Sequence, residues 1–251
     1  MICYFLSRYY LDPLSGNLRN INAFFILFLI SVIPAFIGVV FLFFVKEIKK
    51  KQPEVFQRQA KPKPELNIAK YERNLQLLFL SQLFFTLGNS SNQFLLLRSM
   101  DIGHTLSNVI LMYLVFNLSC SFLSPFFGTL SDKIGRKKVL VAGYTLYAVV
   151  YLSFGFINCS SKNYLWVFWA IYGIYSAMTD GVEKAFVSDL APYGSKATAL
   201  GFFHTITGIG LLPASIIAGF LFLWLPSAPF FFSGIMALIA IIILGIFVKT
   251  N

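Results

Sequence analysis

The chain has 251 residues, of which 57% are hydrophobic, 18% aromatic and only 12% charged, and its mean hydropathy is +0.74. Soluble domains carry about 25% charged residues and roughly 45–50% apolar ones. A soluble enzyme built round a large core is therefore excluded, and an integral membrane protein is expected. The net charge of +10, from 20 Lys+Arg against 10 Asp+Glu, would suit nucleic acid if it gathered on a basic helix interleaved with aromatics. It falls between apolar segments instead, so the expected partner is the lipid bilayer and no nucleic acid.

The first twenty residues lack a charged start, an apolar stretch and a small-residue cleavage site, so no cleavable signal peptide is expected. Seven stretches then reach the roughly 20 apolar residues that a hydrocarbon core of about 30 Å demands. They run Ala23–Val45, Leu75–Leu97, Leu106–Phe127, Val139–Ile157, Tyr164–Phe186, Ala197–Trp224 and Ala228–Val248. Their length and want of period-two alternation exclude a β-barrel. The fold class expected is an all-α membrane protein, a polytopic helical bundle of about seven transmembrane helices.

Charge placement sets the organisation. Residues 1–22 form an extracytoplasmic segment, 23–45 one helix, 46–74 a basic cytoplasmic linker, 75–248 six helices with short connections, and 249–251 a tail. The linker holds nine basic residues and the prolines Pro53, Pro62 and Pro64, and in all sixteen of the 20 Lys+Arg fall on one side. That asymmetry places the C-terminus in the cytoplasm. Trp166 and Trp224, at helix ends assigned to the outer face, agree with it.

Cys3, Cys120 and Cys159 are too few and too scattered for a disulfide framework, and no spacing fits a metal site. No phosphate-cradling loop, H-E-x-x-H or G-x-S-x-G stands in the chain. No cofactor, no metal and no enzyme activity are expected.

The sharpest local signal is the run Gly128-Thr129-Leu130-Ser131-Asp132-Lys133-Ile134-Gly135-Arg136-Lys137-Lys138 between two apolar helices. Gly128 would let two helix ends approach, and Gly135 would permit the reversal of a tight turn. Asp132 would accept hydrogen bonds from free N–H groups at a neighbouring helix N-terminus. Arg136, Lys137 and Lys138 would hold the loop at the anionic leaflet.

This run resembles the signature of the major facilitator superfamily, the twelve-helix secondary transporters, at each defining position: Gly128, Leu130, Asp132, Lys133, Gly135, Arg136 and Lys137. The stretches Gly88–Gly103 and Asp180–Pro192 also look like bacterial and archaeal members. The resemblance covers residues 23–248 and implies helices six to twelve, with 46–74 as the central loop. It implies that the motif stabilises a cytoplasmic gate, and that the intact protein moves a small solute by alternating access in a prokaryotic cytoplasmic membrane. Five helices before Ala23 would then be missing. The expectation is a truncated chain that either pairs with a chain supplying the N-terminal half or serves as a non-transporting interaction subunit or gene remnant.

Polar residues inside apolar spans are costly and hence functional candidates. Asp180, Glu183 and Lys184 share one helix face at i,i+3 and i,i+4. They are either an ion-responsive cluster on the substrate pathway or a self-neutralised helix end. Asn89, Asn92 and Gln93 are expected on one face, as substrate contacts or interhelical glue, and Arg98 with Asp101 as a local ion pair. Gly208, Gly210, Pro213 and Gly219 mark a helix kinked either to gate or to pack. His204 is expected as a packing histidine and His104 as an outer loop residue.

Overall fold

The computed structural model describes residues 32–33, 36–41, 43–44, 68 and 71–248. It falls into two compact units, residues 1–62 with Thr105–Leu111, and residues 63–104 with 112–251. In the first unit the described residues of the 23–45 span are helical. The rest of that span, residues 1–22, nearly all of the linker and the 249–251 tail lie outside the described residues.

Seven α-helices follow: α1 Arg73–Gly88, α2 Gln93–Asp101, α3 Leu106–Ile134, α4 Arg136–Phe156, α5 Leu165–Leu190, α6 Lys196–Trp224 and α7 Ala228–Ile242. A 3₁₀ segment, Cys159–Tyr164, precedes α5, and a π turn, Ile243–Phe247, ends the last helix. The protein is an all-α membrane bundle. Among the described residues four helices are long and apolar enough to cross a bilayer: α3, α4, α6 and α7 with its π turn. The expected span Leu75–Leu97 is instead two helices, of 16 and 9 residues.

Local chemistry explains the boundaries. Gly88, Asn89, Ser90 and Ser91 are poor helix formers in sequence. There the Asn89 N–H turns back to the carbonyls of Phe85 and Thr86, at 2.8 and 3.1 Å. Pro192 follows the end of α5, and Pro229 stands in the first turn of α7, where its missing N–H costs nothing. At the far end of α7 the Ser81 hydroxyl donates to the Ala240 carbonyl, 2.9 Å, just ahead of the π turn.

Helix α4 is the hub of the larger unit. Leu140, Tyr144, Tyr147, Tyr151 and Phe154 recur at helical spacing and are each at most 1% exposed. They pack against α5 and α7. Phe85 of α1 stacks on Tyr144 with ring centroids 3.9 Å apart, and Phe230 of α7 stacks on Phe154 at 5.8 Å. Where α3 crosses α5, a Cβ on Gly173 would stand 2.5 Å from the Phe116 carbonyl oxygen. Only glycine allows that approach.

Candidate functional site

The helix break sits against the aromatic hub. Non-helical backbone buried among helices has to be satisfied within the protein, and tyrosines bond one carbonyl and two amide side chains of the break. The Tyr147 hydroxyl donates to the Gly88 carbonyl at 3.0 Å, the Tyr172 hydroxyl to Asn92 Oδ1 at 2.7 Å, and Asn89 Nδ2 to the Tyr175 hydroxyl at 3.5 Å. Beyond the break, α2 is fastened near its C-terminal end. Trp169 Nε1 donates to Ser99 Oγ at 3.1 Å, and Arg98 donates to the carbonyls of Phe154 and Ile157. Arg98 also pairs with Asp101 at 2.6 Å, as expected. Its charge lies at the carbonyl end of α4, where the helix dipole favours a cation.

On the other side of the break a cavity of about 240 Å³ opens between α1, α5 and α6. Gln82, Thr86 and Asn89 line it from α1, and Tyr175, Thr179, Asp180, Glu183 and Lys184 from α5. Helix α6 contributes Phe203, His204, Thr207 and Leu211. Asp180 Oδ2 accepts from the Ser176 hydroxyl at 2.8 Å. Glu183 Oε1 lies 3.0 Å from the hydroxyl of Tyr144, which stands behind the cavity wall on α4.

Several expectations change here. Asn89, Asp180, Glu183 and Lys184 do come together, but Asn92 and Gln93 do not line the cavity. Asn89 and Asn92 both meet tyrosines of α5, as interhelical contacts, while Gln93 does not join them. Asn92 serves Tyr172, and Gln93 Oε1 accepts from the Ser91 hydroxyl. Among the described residues no ion pair within 4.0 Å joins Lys184 to Asp180 or Glu183. His204 is exposed on the cavity wall rather than packed away. His104 lies in the loop between α2 and α3 and is buried there, with Nε2 3.0 Å from the Lys162 carbonyl.

On α6, Gly208 and Gly219 have open space beside them, whereas a Cβ on Gly210 would stand 2.9 Å from Thr86 Cγ2. The close approach therefore belongs to Gly210 alone of the three, one helical turn before Pro213, and α6 runs helically through that proline.

The glycine-and-basic run is not a loop over its whole length. Helix α3 continues through Gly128, Leu130, Asp132 and Lys133 to Ile134, and α4 begins at Arg136. The reversal is made at Gly135 alone, whose φ of +98° is a backbone state that side chains rarely adopt. Gly128 has no neighbour that would meet a Cβ, so it permits no close approach here. Asp132 does not cap a helix N-terminus. It pairs with Arg136 at 3.2 Å, and Arg136 Nε pairs in turn with Asp189 of α5 at 3.0 Å. One guanidinium thus ties the ends of α3 and α5 to the start of α4. Lys137, expected at the lipid surface, donates to the Val248 carbonyl at 2.6 Å and so caps the last helix.

Neither Gln82, Thr86, Thr179 and Thr207 in the cavity nor Tyr144 and Asp189 beside their partners stood out in sequence. Neutral polar residues in apolar helices give no charge or spacing signal. Only packing shows that they meet. Among the described residues no cluster of His, Cys, Asp and Glu could hold a metal.

A multi-pass bundle with a polar cavity at a broken helix is an arrangement that recurs in membrane transporters. The family model described as Major Facilitator Superfamily matches residues 78–251, and the chain belongs to that superfamily. It is 36% identical over 225 residues to a protein named Uncharacterized MFS-type transporter MJ1317 of Methanocaldococcus jannaschii, covering 84% of this chain and 53% of that one. It is 30% identical over 142 residues to Quinolone resistance protein NorA of Staphylococcus aureus, covering 57% of this chain and 36% of that protein. The chain thus spans about half the length, or less, of these curated relatives.

Proposed function

We propose that the chain provides one six-helix wall of a secondary transporter that moves a small solute by alternating access across a prokaryotic cytoplasmic membrane, its C-terminus inside. The observation that carries this reading is the cavity between α1, α5 and α6, where two carboxylates, a lysine and a histidine meet beside a discontinuous helix. Discontinuous helices, ionisable groups at membrane depth and a polar cavity recur together where transporters bind solutes and coupling ions. In this reading Asp180 and Glu183 couple solute movement to an ion. The Asp132–Arg136–Asp189 tie stabilises the cytoplasmic gate. The opposite wall comes from a second six-helix half, on the same polypeptide or on a partner chain; the share of each relative that the chain spans supports this.

The test is solute-dependent proton movement, followed with a pH-sensitive dye in proteoliposomes holding the complete two-half assembly. A fluorescent quinolone is the first probe, because one relative carries resistance to quinolones in its name. The reading expects saturable, solute-dependent flux that falls to background in Asp180→Asn or Glu183→Gln. Flux unchanged in both variants would remove the coupling role. No flux with any solute, from a short chain standing alone in its membrane, would favour the non-transporting subunit or remnant instead.

A further inference from the structure

The Tyr144 hydroxyl stands 2.9 Å from Gln82 Oε1 and 3.0 Å from Glu183 Oε1, so both of its neighbours are oxygens. A phenol has one proton to donate. Tyr144 is fully buried behind the cavity wall at 0% exposure, and Gln82 at 4% and Thr86 at 2% border the cavity itself. An oxygen pair with no proton between its members, buried there, costs more than the bond itself is worth. Gln82 Nε2 in turn lies 3.4 Å from Thr86 Oγ1, so the chain of polar groups continues along α1.

Two proton arrangements satisfy every member. In one, a Glu183 carboxylic acid donates to the phenol oxygen, the phenol O–H donates to Gln82 Oε1, and Gln82 Nε2 donates to Thr86 Oγ1. In the other, the Glu183 carboxylate accepts from the phenol O–H, the phenol oxygen accepts from Gln82 Nε2, and Gln82 Oε1 accepts from the Thr86 hydroxyl. They differ by one proton on Glu183 and a half-turn of the Gln82 amide, whose two ends have nearly the same shape.

We propose that Thr86, Gln82, Tyr144 and Glu183 form a reversible hydrogen-bond relay, in which rotation of one amide lets Glu183 gain or lose a proton without stranding a buried polar group. The proton arrives from hydronium in the cavity, leaving water, and returns the same way. No bond between heavy atoms changes. Tyr144 and Gln82 are positioning residues, since only Glu183 exchanges the proton. The titratable groups around Glu183 are Tyr144 on α4, which it meets directly, and Tyr175, Asp180 and Lys184 on α5 and His204 on α6, which line the same cavity, while α1 presents the uncharged Gln82. The far end of the relay has a place to act. Thr86 abuts Gly210 of α6 and its carbonyl takes the Asn89 N–H at the end of α1. The relay deepens the pathway reading and depends on it only for a role in transport.

The experiment is an infrared titration of the purified full chain in lipid nanodiscs, without solute, with isotope-labelled tyrosine ring and glutamine amide. On acidification a carboxylic-acid C=O band is expected together with changes in the tyrosine and glutamine signals. The difference between the parent and Glu183→Gln should contain a carboxyl component with tyrosine and glutamine changes that titrate with it, and Asp180→Asn should leave that component in place. Thr86→Val, which keeps the shape and removes the hydroxyl, should move the midpoint by about one pH unit, and Thr86→Ser should restore it. The relay is overturned if Glu183→Gln removes no component of the carboxyl band, if the tyrosine and glutamine signals do not follow that component, or if Thr86→Val titrates as the parent does. Co-titration without solute flux would sink the pathway reading alone, and flux without co-titration would sink the relay alone.

Discussion

Helices α4 and α6 are both long and apolar, yet they occupy opposite kinds of environment. Over its most apolar stretch α4 is 56% buried and α6 17%. Helix α4 turns a row of aromatic rings into the hub, and its tyrosine hydroxyls fasten the α1 break and meet Glu183. Helix α6 buries Gly210, Ala214 and Ala218 against its neighbours and leaves Ile209, Leu212, Ile216 and Phe220 exposed. Hydropathy does not separate two such helices. What separates them is the size of the side chains on the buried face: large rings hold a fixed centre, and small residues let a helix lie close while its bulk faces away.

The largest test of this contrast is a pair of phenylalanines. Phe154→Ala on α4 removes a fully buried ring and should cost about 3–5 kcal/mol, seen as a lower unfolding temperature in detergent. Phe220→Ala on α6, where the ring is 72% exposed, should change that temperature little. Comparable losses would show that the exposed face is covered by the chain's own packing.

A second pair separates glycines that look alike in sequence. Gly210→Leu should be overpacked against Thr86 by about 1–3 kcal/mol, while Gly208→Ala, with open space beside it, should be neutral or stabilise by up to about 1 kcal/mol. Thermal unfolding reads both. Smaller again is Gly135→Ala, which forces a side chain to φ +98° and should cost on the order of 1–2 kcal/mol. The smallest is Asp189→Asn. Its ion pair with Arg136 is half-exposed, and such pairs contribute about 0–1 kcal/mol. Its effect should appear in the ionic-strength dependence of stability more than in its size.

Much of the helix layout was legible because apolar stretches of spanning length mark it, and Gly135 stands at a real end. The α1 break was half legible. The polar run from Asn89 to Gln93 marked the place, but counting apolar residues across Leu75–Leu97 carried one helix straight through it. Within the signature run Gly135 makes the expected reversal, whereas Gly128, expected where two helix ends approach, lies within α3 with open space beside it. In the cavity the ionisable residues were found by their charge. Gln82 and Thr86 were not, because a neutral polar residue in an apolar helix is equally compatible with facing lipid, a neighbour or water. Tyr144 looked like one more aromatic until its hydroxyl was seen between two oxygens.

The central claim is that the cavity beside Asp180 and Glu183 is a water-filled path and not a packing defect. The direct measurement is the labelling rate of Thr207→Cys by a membrane-impermeant thiol reagent in native membranes, read at the modified peptide by mass spectrometry. Ile216→Cys, on the exposed apolar stripe of the same helix, is the reference. Thiols react as thiolates, which form in water and not in hydrocarbon. The account predicts that position 207 labels many times faster than position 216. Equal rates would contradict it.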